Sequence, residues 1–311
     1  MTKKKISDID FTNLATITIT FNPNIGDLLS QLYILPESSI KVIVDNASTI
    51  QHWDEIQLLS HQFRNIYLIR SKVNLGLATA INRGAEFISN LVDSPEFILL
   101  LDQDSIPQHK SIEKLLMAFK NLQKNGHPVG CVGPLLTDLT TGLTHGFHQS
   151  SKFRWTRVYP TQESITPIKC SSLNGSGTLM SLELFQKLGG LDEQFFIDHV
   201  DTEWSFRIIS NGYQLWGIPN SIFGHSMGET SKRFWLFGWR VWPVRSPQRH
   251  YYLYKNAIIL MQRPYIPKVW KIWAIMKLAL TTTIVVLIDS SRIQQIKNMW
   301  KGIRTGLRNK N

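Results

Sequence analysis

A chain of 311 residues is long enough for about two domains, or for one large α/β domain with an appendage, and its 43% hydrophobic content excludes intrinsic disorder. The formal net charge of +11, from 34 basic and 23 acidic residues, narrows the partners to nucleic acid, an anionic membrane surface or a phosphorylated substrate. Two cysteines, Cys131 and Cys170, exclude a disulfide framework and fit a reducing compartment. The basic start, Met1 to Lys5, leads into no apolar signal core, so a cytoplasmic protein is expected.

Apolar runs alternate with helical spacing from the start. Residues 15–21 read as a strand, 25–35 as a helix and 41–44 as a strand, followed by the turn-like Asp45-Asn46-Ala47-Ser48. Residues 66–69 read as a strand and 77–90 as a helix. Residues 97–101, Phe-Ile-Leu-Leu-Leu, form a short continuous apolar run, the mark of a strand buried on both faces. It runs straight into Asp102-Gln103-Asp104. Ligands of open α/β sheets bind beyond the carboxyl ends of the strands. Two carboxylates there are placed to hold a divalent cation through oxygen, and through it a diphosphate; a plain polar turn is the bland reading. A helix at 112–124 follows. This β-α-β-α order predicts a mostly parallel central sheet flanked by helices. No Gly-x-Gly-x-x-Gly opens a helix and no Gly-Lys-Ser loop is present, which argues against dinucleotide and P-loop enzymes.

After about residue 130 the pattern loosens, and Gly, Thr, Ser and His dominate residues 137–151, as in loops or irregular strands that contact a ligand. Order returns at 177–181, then a short helix at 182–188 ended by Gly189-Gly190, a helix at 201–210 and a strand at 213–218. Residues 233–242, Arg-Phe-Trp-Leu-Phe-Gly-Trp-Arg-Val-Trp, are aromatic and basic, the chemistry of a membrane interface. Residues 272–288 are largely apolar but interrupted by Lys277 and three threonines. A spanning helix needs about 20 predominantly apolar residues, so lying on the membrane is favoured over crossing it. A helical cap on the core, or a homodimer contact, would use the same surface.

Several motifs fall in one order: Thr20-Phe21-Asn22, Val44-Asp45-Asn46-Ala47-Ser48, Asn74-Leu75-Gly76-Leu77-Ala78, Asp102-Gln103-Asp104, Gly175-Ser176-Gly177, and the run from Gly190 to Arg207 with Phe196-Ile197-Asp198-His199-Val200-Asp201-Thr202-Glu203-Trp204 inside it. Over residues 14–228 the chain resembles a family 2 glycosyltransferase with the A-type nucleotide-sugar fold. Asp-Gln-Asp and the Phe196 to Trp204 segment are similar to the rhamnosyltransferase branch. The resemblance implies a transferase domain at 1–228 and a helical, basic-aromatic C-terminal region at 229–311, associated with the inner face of the cytoplasmic membrane.

It also implies roles. Asp45 would contact the nucleotide base, its carboxylate accepting an imide N–H, although an acid there also caps a turn. Asn74, Gly76 and Gly177 would line the donor, Gly76 by letting backbone approach a ligand or simply by permitting helix entry. Asp102 would face the ribose and metal region, and Asp104 and His225 would ligate Mg²⁺ or Mn²⁺. Counting back from Arg207, Asp201 falls on the position of the catalytic base and Glu203 on a later acid. Val200 stands where the family usually has Glu, Asp198 is a rival base, and Asp198, Glu203 and Arg207 would also contact the substrates. Helix N-capping by Asp201 is the structural reading of the same residue. The implied reaction inverts a sugar anomeric centre, most simply L-rhamnose from dTDP-L-rhamnose, onto a lipid-linked glycan of a cell-wall or O-antigen polysaccharide. A UDP-hexose donor is the alternative. A nucleic-acid-binding protein is the remote one, opposed by the absence of any nucleic-acid module and by Asp102 and Asp104, which repel phosphate without a metal.

Overall fold

The computed structural model describes residues 10–309, except 140, 162, 226–230, 236–238 and 244, and for 231–235 and 239–243 it describes the backbone alone. The basic start at Met1 to Lys5, and Leu236, Phe237 and Gly238 of the motifs above, lie outside the described residues.

The first half alternates strictly: β1 (Leu14–Thr20), α1 (Ile25–Ile34), β2 (Ile40–Asp45), α2 (Ile50–Ser60), β3 (Ile66–Arg70), α3 (Leu77–Ser89) and β4 (Phe97–Asp102). β1 is buried at every position and β2 and β4 at all but one, as expected of strands covered by helices on both faces. Their side chains alternate between two cores. Ala15, Ile17, Val42, Val44, Ile98 and Leu100 enter one, and Leu14, Ile43, Phe97, Leu99 and Leu101 the other. β1 lies between β2 and β4, parallel to both, and β3 continues parallel beyond β2.

The second half is mixed: β5 (Ser105–Pro107), α4 (Ser111–Lys124), β6 (Val129–Asp138), β7 (Thr144–His145), β8 (Phe147–Ser150), β9 (Trp155–Val158), β10 (Ile168–Cys170), β11 (Leu179–Ser181), α5 (Leu182–Lys187), α6 (Val200–Ser210) and β12 (Gln214–His225). The central order is β10-β12-β6-β11-β4-β1-β2-β3. β6 and β12 are parallel, while β11 joins them to β4 antiparallel. The sheet is mostly parallel, as expected.

Three elements depart from the sequence reading. α2 has no counterpart in the sequence reading, although Ile50, Trp53, Ile56 and Leu59 recur every three residues. β6 was hidden by Gly130, Gly133 and Pro134, which normally punctuate strands. Here the partner strand shifts register between Ile218 and Ile222, next to Pro134, so the missing N–H is accommodated. β12 also runs beyond residue 218, to His225, which carries that histidine to the end of the sheet.

The C-terminal part is not wholly helical. Two strands, β13 (Ser231–Trp235) and β14 (Trp239–Pro243), pair antiparallel. Then follow α7 (Pro247–Gln262), α8 (Lys268–Ile288) and α9 (Arg292–Arg308). The division expected at residue 228 does not coincide with a break in packing. Ile259, Leu260, Ile266, Trp270 and Ala274 share one core with Trp204 and Phe206 of α6. Both cysteines are buried and free, and burial pushes each thiol up to about 12.

Candidate active site

The end of β4 is held by a buried glutamine. Gln31 of α1 is fully buried, and its amide donates to the carbonyls of Asp102 (2.8 Å) and Ser105 (2.7 Å) while its Oε1 accepts from Thr18 Oγ1 (2.8 Å). Every polar atom of that side chain is used, so the turn between Asp102 and Ser105 is fixed from below. Gln103 Oε1 accepts from the Phe21 N–H at 2.8 Å and ties the turn to the end of β1. The signal for Gln31 was present in the sequence: an amide among Leu28, Leu32 and Leu35 on an apolar helix face.

β5 pairs antiparallel with the end of β12, with Ser105 opposite His225. That register sets His225 Nε2 at 3.1 Å from Asp102 Oδ2 and 3.5 Å from Asp104 Oδ1. Ligand atoms of Asp102, Asp104 and His225 all lie within 4.8 Å of one another. Burial is the main cause that raises the Asp104 carboxyl above its usual range, opposed by His225 and reinforced by Asp102 and Asp27. Two carboxylates and an imidazole, half-exposed at the end of a parallel sheet, suit a divalent cation of the Mg²⁺ or Mn²⁺ type. Ser176, in the loop before β11, bonds to Ser105 and brings Gly175-Ser176-Gly177 against this edge. Gly177 has φ +77°, and a Cβ there would come within 2.9 Å of Phe223.

Asp45 is completely buried. Its Oδ1 accepts from Thr20 Oγ1 (3.1 Å) and Ser48 Oγ (2.5 Å), its Oδ2 accepts from the Ser48 N–H (3.1 Å), and Arg70 Nε lies 3.8 Å away. Here the carboxylate organises its turn and faces no solvent. Asn74 and Asn46 form a second knot: Asn46 Nδ2 donates to Asn74 Oδ1 at 3.0 Å, and the N–H groups of Leu75 and Gly76 donate to Asn46 (2.8 Å) and Asn74 (3.0 Å). Gly76, at φ +84°, does allow a close backbone approach, but to the chain itself. A Cβ would lie 2.6 Å from the Phe196 carbonyl oxygen, which accepts from the Leu77 N–H at 2.6 Å.

That contact fixes the segment leading to α6. Asp198 and His199 both adopt left-handed backbone, φ +61° and +65°. Asn256 of α7 secures the turn by donating to the carbonyls of Ile197 (2.7 Å) and Asp198 (3.0 Å). α6 starts at Val200 with His199 at the N-cap position, so Asp201 is not the cap. Asp201 Oδ1 accepts from the N–H of Thr202 at 2.7 Å, and burial raises its carboxyl above the usual range, with Asp102 and Asp198 adding to the rise. A Cβ on Gly175 would lie 3.9 Å from the Asp201 Cβ, so Asp201 stands beside the Gly175-Ser176-Gly177 loop that Ser105 holds at the end of β4. Asp198 is paired with Arg249 Nε at 3.4 Å.

Glu203 and Arg207, expected to bind substrate, are elsewhere. Glu203 is 1% exposed and meets Arg207 in a two-pronged pair at 2.9 and 2.8 Å. Tyr265 donates to its Oε1 at 2.6 Å, and Arg207 donates to the Leu188 carbonyl at 2.6 Å. This is an internal tie between α6 and the loop after α7. The pattern of acids before an arginine carried no information on which way each side chain faces.

Residues 25–189 match the family model for Glycosyl transferase family 2. Over 297 residues the chain is 28% identical to a dTDP-rhamnosyl transferase, RfbF, of Shigella flexneri, covering 95% of this chain and 96% of the relative. It is 23% identical over 245 residues to an N-acetylglucosaminyl-diphospho-decaprenol L-rhamnosyltransferase of Mycobacterium tuberculosis, covering 72% of this chain and 78% of that one. Among solved structures, the fold is similar to a mannosyltransferase from Pyrobaculum calidifontis in complex with GDP-Man and Mn²⁺, with TM-score 0.55, 14% identity and coverage of 96% and 88%. It is also similar to GalNAc-T7 with UDP, GalNAc and Mn²⁺, at TM-score 0.55 and 17% identity, over 87% of this chain and 56% of that one. The chain is a glycosyltransferase, and it belongs to glycosyl transferase family 2.

Proposed function

We propose that the protein transfers L-rhamnose from dTDP-L-rhamnose, with inversion, to a hydroxyl of a lipid-linked precursor of a cell-surface polysaccharide. The observation that carries this is similarity along nearly the whole chain to a dTDP-rhamnosyl transferase. The cluster of Asp102, Asp104 and His225, with Asp201 beside the Gly175-Ser176-Gly177 loop at the end of β4, supports a mechanism for it.

Asp102, Asp104 and His225 would hold Mg²⁺ or Mn²⁺, whose chemistry is to neutralise charge on a leaving diphosphate. Asp201 accepts the proton of the attacking hydroxyl. The hydroxyl oxygen bonds to the anomeric carbon as the bond from that carbon to the diphosphate oxygen breaks, and dTDP departs with the electron pair. Asp201 is the better base of the two acids, because Asp198 is already committed to Arg249 while Asp201, among the described residues, accepts only from its neighbour Thr202. A raised carboxyl is also a stronger proton acceptor once ionised. The buried turns at Asp45 and Asn74 would support the donor pocket from behind, with Gly177 at its edge.

The enzyme would work at the inner membrane face. Among the described residues, Lys268–Ile288 is long and apolar enough to cross a membrane. Only one side of it enters the core; Ile272, Met276, Leu280 and Leu287 are exposed in one stripe. A helix that leaves an apolar stripe exposed on a basic protein suits an anionic lipid surface.

The test is donor turnover. dTDP-L-rhamnose, UDP-glucose and UDP-galactose are incubated with the protein and Mg²⁺ or Mn²⁺, with and without chelator, alone and with membrane lipid extract. Release of dTDP from dTDP-L-rhamnose, lost with chelator, is expected. Turnover of a UDP-hexose in its place would overturn the donor assignment.

A further inference from the structure

A recess open to solvent lies beside the acidic end of β4, and residues 145–148, from the segment whose composition predicts ligand contact, build one wall of it. Its floor is apolar. Gly133 of β6 and Gly217 of β12 stand opposite each other in the sheet, and with no Cβ on either, the side chains of Leu173 and Phe147 settle directly onto them. Both of those side chains are buried. The rim is polar: His145 of β7, Arg157 of β9, and Asn174 and Ser176 of the loop before β11.

Three of these groups have hydrogen-bonding capacity to spare. Among the described residues, neither the His145 imidazole nor the Asn174 carboxamide bonds to another protein group. Arg157 uses its Nε on His148 Nε2 at 3.3 Å and leaves its two terminal nitrogens unused. Arg157 and Asn174 are exposed and His145 is half-buried, so water meets all three and a ligand's hydroxyls can replace it. Burial, then Arg157, lowers His145 and takes His148 down to about 4, so both rings are mainly neutral at pH 7. Arg157 then carries the one formal charge on the lining, and no carboxylate lines it. An apolar floor with a few neutral donors and acceptors suits an uncharged polyhydroxylated ring. A diphosphate would call for more cations than one.

The recess is also in the right place for a reacting sugar. Ser176 bonds to Ser105, the neighbour of Asp104 in the acidic cluster. Gly175, between Asn174 and Ser176, stands beside Asp201. One three-residue loop therefore touches the recess, the end of β4 and the base. An inverting displacement needs the anomeric carbon held between the leaving diphosphate and the attacking hydroxyl. The ring that carries this carbon belongs to the donor.

We infer that the recess binds the sugar of the nucleotide-sugar donor, with His145, Arg157 and Asn174 bonding to its hydroxyls and Phe147 and Leu173 beneath its C–H face. These three polar residues determine which sugar is transferred. This rests on Asp104 and Asp201 marking the leaving and attacking sides of the proposed reaction. L-Rhamnose, with a methyl group in place of a hydroxymethyl, suits the apolar floor.

Calorimetry with Mn²⁺ and no acceptor tests this, comparing dTDP-L-rhamnose with dTDP so that the sugar's share is read as a ratio of affinities. UDP-glucose and UDP-galactose are compared with UDP in the same way. Wild type is expected to bind dTDP-L-rhamnose more tightly than dTDP. His145→Ala, Arg157→Ala and Asn174→Ala should each reduce that ratio roughly three- to tenfold, with dTDP affinity and thermal stability unchanged. Asn174→Trp, which fills the recess from its exposed rim, should abolish the gain. Equal losses for dTDP and dTDP-L-rhamnose would assign the residues to the nucleotide or diphosphate and overturn the sugar site. A ratio unchanged in all four variants would overturn it as well, as would a wild type that gains affinity from none of the three sugars. A gain for a UDP-sugar alone would count against the dTDP-L-rhamnose reading, and the same four variants on that pair would then decide the recess.

Discussion

His225 Nε2 lies 3.1 Å from Asp102 Oδ2 because Ser105, three residues beyond that aspartate, is the register partner of His225 across β5 and β12. The short β5 is therefore the element that assembles the acidic triad. Any change that slips this pairing by one residue turns the imidazole to the other face of the sheet.

Asp104→Ala and His225→Ala should each weaken Mn²⁺ binding by more than the roughly 10–100-fold typical of losing an outer-shell partner. Titration followed by electron paramagnetic resonance measures this directly. Affinity within threefold of wild type in both variants would remove these residues from the metal site.

Asp201→Asn should lower kcat by about 10²–10⁴, the usual worth of a positioned general base. Its stability should be equal or higher. The sign follows from the raised carboxyl: a folded-state pKa above the unfolded one means that the ionised form is disfavoured in the fold, so its cost is present at pH 7 and relieved only as pH falls. The amide carries no such cost. The acid limb of the kcat/KM profile should lie above the ordinary carboxylate range, and an unfolding curve and a pH profile on the same preparation test both halves.

Glu203→Ala should destabilise the protein by about 3–5 kcal/mol, because it strands Arg207 in a mostly buried position. Tyr265→Phe should cost only about 1 kcal/mol, the net worth of one hydrogen bond. Urea denaturation distinguishes the two. A Glu203 variant that keeps its stability but loses donor affinity would restore the substrate-binding role expected from the motif.

Gly76→Ala should destabilise by at least about 1–2 kcal/mol from the left-handed backbone alone, plus the clash with the Phe196 carbonyl. The same contact positions the segment that ends in Asp201, so kcat should fall together with stability. Unchanged melting and unchanged kcat would show that the chain can relax away from Phe196.

The alternating first half was legible from apolar patterning alone, since doubly covered strands must be continuous runs and their helices must repeat every third or fourth residue. Asp102 and Asp104 were legible for the same reason: a run of five apolar residues can only end in two carboxylates at the rim of a sheet. Asp201 and His225 could be named from motif order. Their meeting with Asp102 depends on strand register and on the Gly76–Phe196 contact, both of which are long-range. Side-chain direction was not legible. Glu203 and Asp201 stand two residues apart on one helix, about 200° around its axis, so the same acidic motif sends one into the cleft and the other into the core.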